Sequence, residues 1–315
     1  MTLPPNRLPL TIAILCAALT GPAVGQPDSA NDTLVPQGGV ARWSGLAAAE
    51  CGIFGKRYPA VDAVCYYPVD IATEVGRHQV AVWDQDGAEH LGWVKVEKVD
   101  FPDVEMELPD DLMQFVEPDA EQQSRHTEER AAVLKVFEGE IGDPLFSLPL
   151  AAPTASLPKS EDDFGSIRVF NEKRRSQHTG RDYPVGAGNV VKAVADGKVI
   201  LAADHFFTGN AVYVDHGAGL VSMNFHLGEL AVKDGATVKR GDTLGKIGST
   251  GRSTGPHLHL GLRWLGQRID PQLLLDSPNR LPAIGESDAT ASAKIDAADA
   301  KEPPETDDTL YDDEG

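Results

Sequence analysis

From about Gly38 to Val99, apolar residues recur at every second position in short runs separated by turn residues. The clearest unit is Gln79-Val80-Ala81-Val82-Trp83, then Asp84-Gln85-Asp86-Gly87, then Leu91-Gly92-Trp93-Val94-Lys95-Val96. Alternating residues on both sides of an Asp-Gly turn predict a β-hairpin, and the region reads as a small β-sandwich over residues 36–105. The pattern then changes. Glu117-Pro118 opens an expected helix to about Phe137, with Pro118 in its first turn and Ala131, Val133, Leu134 and Phe137 on an apolar side. Residues 145–162, rich in Pro, Ala, Ser and Leu, complete a helix-and-linker segment over 106–163. From Phe164 short β-branched runs return, among them Asn189–Val194, Lys198–Leu201 and Ala211–Val214, punctuated by Gly and Asp-Gly turns. This spacing predicts a mainly β, antiparallel fold over residues 164–276. Residues 26–35 are polar and read as a loose leader. Beyond Pro282 there is little to bury, and residues 283–315 are expected to be a disordered acidic tail.

Composition changes this picture at the ends of the chain. Arg7, the apolar run Leu8–Leu19 and the small residues up to Gly25 have the layout of a signal peptide over residues 1–25. The apolar run is shorter than the roughly 20 residues needed to span a bilayer. The expectation is therefore a periplasmic or secreted protein without stable membrane insertion after cleavage. Cleavage after Gly25 removes Cys16 and leaves Cys51 and Cys65, an even pair that favours a disulfide in an exported protein. Closing that loop would contribute roughly 3 kcal/mol in the chain-entropy model. The net charge is −20, but it is uneven: Phe164–Asp276 holds fourteen Lys and Arg against ten Asp and Glu, a balance of +4. Glu286–Glu314 holds eleven acids and two lysines. No basic run with interleaved aromatics is present, so nucleic acid is excluded as a partner.

The candidate chemistry lies in three islands of the β-rich segment: His178-Thr-Gly-Arg-Asp182, Asn224-Phe225-His226-Leu227 and His257-Leu258-His259. Residues two apart on a strand face the same way, so His257 and His259 can enter one cavity. Two His and one Asp match the donor set of a zinc site that keeps a position for water. The islands alone allow a structural metal site as well. Two imidazoles beyond the three donors tilt the reading towards hydrolysis, which needs groups that move protons near the metal. His78, His90 and His126 read as surface histidines, His205 as part of a groove wall or surface loop, and His216 as structural in a turn. Gly251, Ser253, Thr254 and Gly255 read as shaping the loop before the His-x-His strand.

Taken together, His178-x-Gly180-x-Asp182, Gly209-Asn-x-Val212, Asp215-His216-Gly217, His226-Leu227, Gly235-x-x-Val-x-x-Gly241, Ile247-Gly248, Thr250-Gly251 and Ser253-Thr-Gly-Pro-His257-Leu-His259 resemble the lysostaphin/LytM-type (M23) peptidases. The likeness runs from Phe164 to Leu275 and includes Ile269-Asp270-Pro271. Phe164-Gly165-Ser166-x-Arg168-x-Phe170 and the β-rich start are similar to members with an extra N-terminal domain. The resemblance implies that His178, Asp182 and His259 ligate zinc and that His226 and His257 are catalytic. It implies a zinc endopeptidase acting on peptidoglycan stem peptides, with any regulatory protein partner undefined. A non-enzymatic activator of other wall hydrolases would lack ligands, and none is missing here. A lytic enzyme against other cells is the remaining reading. Asn224 departs from the family, which carries an aromatic there, and is expected to alter a groove wall. The 117–137 helix and linker are expected to restrain access to the groove.

Overall fold

The structure is a computed structural model and describes residues 32–160 and 164–285. The stretch expected to be a signal peptide and most of the stretch expected to be a disordered tail lie outside the described residues. No described helix is long and apolar enough to cross a membrane.

The first part of the chain folds as strands β1 (Thr33–Pro36), β2 (Val40–Trp43), β3 (Ala48–Ile53), β4 (Lys56–Pro59), β5 (Tyr66–Pro68), β6 (Gly76–Asp84), β7 (Glu89–Glu97) and β8 (Asp103–Met106). β6 and β7 are the hairpin the alternation predicts, joined through the Asp84–Gly87 turn. They sit in a five-stranded sheet of order β1-β7-β6-β3-β4. The polar leader was expected to be loose up to residue 35. Instead Thr33–Pro36 pairs in parallel with β7 and buries Val35 completely, because one edge of β7 offers free backbone groups and an apolar slot. Cys51 and Cys65 form a disulfide with Cα atoms 5.4 Å apart, tying β3 to the residue before β5.

Next come a 3₁₀ turn over Asp110–Phe115 and helix α1 (Ala120–Val136). The helix starts two residues later than Pro118. The Asp119 carboxylate accepts from the backbone N–H groups of Glu121 and Gln122, and the Gln122 side chain accepts from Asp119 N–H. This reciprocal cap fixes the first turn and leaves Pro118 outside it.

The remaining strands are β9 (Ile167–Phe170), β10 (Arg174–Gln177), β11 (Gly180–Tyr183), β12 (Val190–Lys192), β13 (Gly197–His205), β14 (Gly209–Asp215), β15 (Leu220–Leu230), β16 (Thr237–Val238), β17 (Thr243–Ile247), β18 (Leu258–Trp264) and β19 (Gln267–Ile269). A short helix α2 (Gln272–Leu275) and strand β20 (Ala283–Ile284) follow. Nine of these strands form one antiparallel sheet whose main path is β11-β18-β15-β14-β13-β16, with β12, β17 and β19 attached. β8, β9 and β10 make a separate three-stranded sheet. The tail was expected to lose structure directly after Pro282. Ala283 and Ile284 instead pair with Arg42 and Trp43 of β2, and Ile284 is fully buried.

One buried apolar cluster joins residue ranges 36–105 and 164–276: Trp43, Tyr66, Tyr67, Val80 and Val94 pack with Leu220, Leu262, Trp264, Ile269 and Leu274. Phe146 of the linker meets the Trp264 ring edge-on at 5.5 Å. Leu150 N–H donates to Leu274 and Ala151 N–H to Val194, so the linker docks along the back of the large sheet. Asp70 and Arg268 close this seam with a buried two-pronged ion pair at 2.6 and 3.0 Å. Removing one partner of such a pair strands the other charge and costs about 3–5 kcal/mol.

Candidate metal centre and active-site cleft

The register of the large sheet assembles the site. β11 pairs with β18 so that Asp182 stands directly opposite His259, and β15 pairs with β18 so that Phe225 also stands opposite His259. Paired residues share a sheet face, which puts all three on one side. His178 comes from the turn before β11, where its backbone N–H donates to Ser166 and its carbonyl accepts from Gly165. Gly180 is required here: a Cβ at that position would lie 2.4 Å from His259 Nε2. The Phe225 ring stacks flat against His259, with centroids 5.0 Å apart and planes 4° from parallel.

Three donor atoms converge. His178 Nε2 lies 3.1 Å from His259 Nδ1 and 3.2 Å from Asp182 Oδ1, and His259 Nδ1 lies 3.0 Å from Asp182 Oδ1. Three lone-pair donors aimed at one point repel unless a cation or protons lie among them. Ligands about 2.0–2.1 Å from a tetrahedral zinc are separated by about 3.3 Å, so the observed triangle is close to the size a small divalent metal needs. His178, Asp182 and His259 are thus a group that can bind a metal. The second oxygen of Asp182 is held by Arg168 at 2.6 Å. Burial alone would raise the Asp182 pKa. The charges of His178 and Arg168 outweigh it and hold the carboxyl well below its usual range.

His226 and His257 stand beside this triangle. His257 Nδ1 donates to the Gly255 carbonyl at 2.8 Å, and its Nε2 lies 3.5 Å from Asp182 Oδ1. His226 Nδ1 donates to the Thr250 carbonyl at 2.8 Å, and its ring centroid is 4.9 Å from that of His257. A carbonyl partner fixes Nδ1 as the protonated nitrogen and leaves Nε2 of each neutral ring as the basic one. Burial, followed by the neighbouring His257 and His259, pushes the His226 pKa well below the ordinary histidine value. Strict alternation along β15 would send His226 to the opposite face from Phe225. A left-handed backbone at His226, φ 60°, breaks the alternation so that both side chains reach the cleft. Such a conformation costs a non-glycine residue of order 1 kcal/mol, and tertiary contacts hold it. Here the His226 N–H donates to Thr208.

The cleft has a volume of about 250 Å³. The Arg252–His257 loop lines it together with Met106, Leu108, Phe170 and Phe207, and the Arg252 guanidinium lies over the Phe170 and Phe207 rings at 4.3 and 5.1 Å. The residues from the N-terminal half that line it are Met106 and Leu108, whereas helix α1 lies alongside, its Val133 packed on Tyr213 and Phe225.

The remaining histidines separate by their partners. His216 is fully buried, with Nδ1 donating to Asp196 O at 2.7 Å and Nε2 facing the Ser222 hydroxyl at 2.8 Å. His78 contacts the Glu74 carbonyl, and His90 pairs with Asp84 across the hairpin turn. His126 is half-buried, its ring meeting Phe207 edge-on at 4.8 Å. His205 is buried against Tyr213 rather than lining the cleft. Asn224 is also displaced from its expected place. It stands opposite Leu260 and Val212, is fully buried, and neither side-chain atom has a hydrogen-bond partner among the described residues. The aromatic surface near the metal donors comes from Phe225, one residue further on.

Sequence reasoning assigned no role to Arg168, Phe225, Arg252 or Phe207. Arg168 lay within the Phe164–Phe170 run that carried the resemblance. Nothing in the one-dimensional pattern pairs it with Asp182, which is fourteen residues away on a different sheet.

Residues 176–271 match the model of peptidase family M23. The chain is 38% identical over 121 residues to the DD-carboxypeptidase/endopeptidase Mpg of Neisseria meningitidis serogroup B, covering 38% of this chain and 28% of that protein. It is 38% identical over 98 residues to the peptidoglycan DD-endopeptidase ShyA of Vibrio cholerae serotype O1, covering 31% and 23%. The matched part thus spans about a quarter of these curated relatives. A solved structure assigned to peptidase M23 from Pseudomonas aeruginosa superimposes with a TM-score of 0.59 at 28% identity, covering 77% of this chain and 95% of that one. That likeness extends well beyond residues 176–271 and into the N-terminal strands.

Proposed function

Because this chain carries a domain of peptidase family M23, we propose that it is an exported zinc endopeptidase that hydrolyses peptide cross-links of peptidoglycan. The observation that carries the reading is the pair His226 and His257, each tautomer fixed by a backbone carbonyl, beside a triangle of metal donors. A purely structural metal site has no use for two pre-set bases at its edge. The names of the relatives Mpg and ShyA support the substrate class.

His178 Nε2, Asp182 Oδ1 and His259 Nδ1 would hold the zinc. When bound, it supplies a water with a pKa lowered towards roughly 7 and positive charge for the scissile carbonyl oxygen. Arg168 fixes the free oxygen of Asp182, so the carboxylate presents one defined atom. Phe225 fixes the plane of His259 by stacking. His257 and His226 accept the proton of the attacking water at Nε2 and return it to the leaving amine. The depressed pKa of His226 keeps that ring neutral at neutral pH, with Nε2 unprotonated. The Gly251–Gly255 loop contributes the Gly255 carbonyl that orients His257.

The test is digestion of purified peptidoglycan by zinc-loaded and by chelated protein, with new termini identified by mass spectrometry. Peptide termini that appear only with zinc are expected. Their absence with zinc-loaded protein overturns the reading. Export is checked separately: the mature protein recovered from the periplasm or medium should begin at Gln26.

A further inference from the structure

One wall of the cleft comes from outside the segment that matches the peptidase family. Met106 and Leu108 precede residue 176 by about seventy positions, yet line the same cleft as His226, His257 and His259. Their placement is over-determined. β8 runs parallel to β9 with Met106 opposite Phe170, and Asn171 N–H donates to the Met106 carbonyl at 2.9 Å. The Asn171 side chain then brackets Leu108: Oδ1 accepts from Leu108 N–H at 2.8 Å, and Nδ2 donates to the Leu108 carbonyl at 3.1 Å.

Asn171 and Glu172 are the central residues of the Phe170–Lys173 turn that joins β9 to β10, with φ of 49° and 57° and Lys173 N–H donating to the Phe170 carbonyl. Both central residues of such a turn must be left-handed, which asparagine tolerates better than most residues. One residue therefore makes the turn and anchors the neighbouring segment. Beyond Leu108, the side chains of Leu112, Phe115 and Val116 pack on Phe206 and Phe207. The result is a fixed apolar ledge that shares the cleft lining with the polar Ser253–Gly255 loop. A peptide occupying this cleft shares it with both the ledge and the donor residues Asp182 and His259.

We propose that Met106 and Leu108 form a specificity subsite for an aliphatic side chain of the peptide substrate, adjacent to the bond that is cut, with Asn171 as its positioning residue. The assignment rests on the endopeptidase reading above. The ledge adds affinity that is equal in the ground and transition states, so its loss raises KM and leaves kcat in place.

The experiment uses the zinc-loaded full chain, a purified cross-linked muropeptide dimer, and the variants Met106→Gln and Asn171→Gly. Met106 is only half-buried, and Gln keeps its length. Gly keeps the left-handed turn while deleting the bracket around Leu108. Affinity for the intact dimer is measured by calorimetry in a His257→Ala background, and kcat and KM in the native background. Met106→Gln should weaken binding and raise KM by about 10-fold with kcat within about twofold, the range expected for one altered apolar contact. Asn171→Gly should shift both in the same direction by less. Unchanged affinity and KM in Met106→Gln, alongside normal cleavage by wild type, retires the subsite alone. Faster turnover in either variant also overturns it, since the ledge would then be an obstruction. Wild-type protein that binds the dimer in a Met106-dependent way but never cuts it retires the endopeptidase reading and leaves the subsite standing.

Discussion

The turn that leads into β15 and the strand itself each hold a histidine, in closely matched but chemically opposite settings. Just before the strand, His216 donates from Nδ1 to a backbone carbonyl and spends Nε2 on the Ser222 hydroxyl. Within its far half, His226 also donates from Nδ1 to a backbone carbonyl, but its ring lines the cleft beside His257 and the metal donors. Both rings are buried, and burial lowers both pKa values. What differs is whether the second nitrogen is committed. A ring satisfied on both sides holds the fold together, and a ring satisfied on one side can carry protons. Burial and pKa direction alone would not separate the two.

The largest expected effect breaks this comparison directly. His226→Ala should lower kcat by about 100- to 10,000-fold, the usual contribution of a positioned acid–base group, with little change in Tm. His216→Ala should do the reverse. It strands the Asp196 carbonyl and the Ser222 hydroxyl, costing about 3 kcal/mol of stability, while activity per folded molecule stays near wild type. Parallel measurements of turnover and urea midpoint on the two variants check both halves. Equal losses of activity would collapse the distinction.

The pH dependence of stability sharpens it next. The folded-state pKa of His216 is lowered from 6.5 to about 4 by burial, only partly offset by the Asp196 carbonyl. As pH falls through 6.5 the unfolded chain protonates first, so stability falls progressively until about pH 4. The full effect is about 3 kcal/mol at about 1.4 kcal/mol per unit. His226 and His205 shift in the same direction. Comparing urea midpoints of wild type and His216→Phe between pH 7 and 4 isolates the one residue. Parallel pH curves for the two proteins would refute the assignment.

The smallest effect concerns the opposite face of β15. Asn224 is buried with no side-chain partner among the described residues, so Asn224→Leu should stabilise the protein by about 1–2 kcal/mol through removal of a desolvated amide. Activity should be unchanged, because residue 224 faces away from the metal donors. A fall in Tm for this variant would show that the amide has a role not visible in the static contacts.

Much of the site was legible in the chain because its signals are local. His257 and His259 are two apart at the start of a strand, and His178 and Asp182 flank a glycine that must be small for the ring opposite. The strand-and-turn rhythm gave the β class of both halves, and the Cys51–Cys65 pairing followed from an even count. Asn224 was expected at the groove from the family likeness, and the pattern of the chain does not reveal the left-handed residue two positions later that turns His226 but not Asn224 into the cleft. The loose leader and tail were misjudged at their inner ends for another reason. Thr33–Pro36 and Ala283–Ile284 have little to bury by themselves, and their order comes from sheet edges supplied by distant strands.

By itself, the sequence determined the residue types of the chemistry, their spacing and the antiparallel rhythm that carries them, since these depend on neighbours a few positions apart. The tertiary structure alone decided that His226 turns into the cleft, that Arg168 holds Asp182, and that Met106 and Leu108 stand beside the metal donors. Each of these depends on strand register and on contacts between segments up to about 150 residues apart, and no local pattern encodes such contacts.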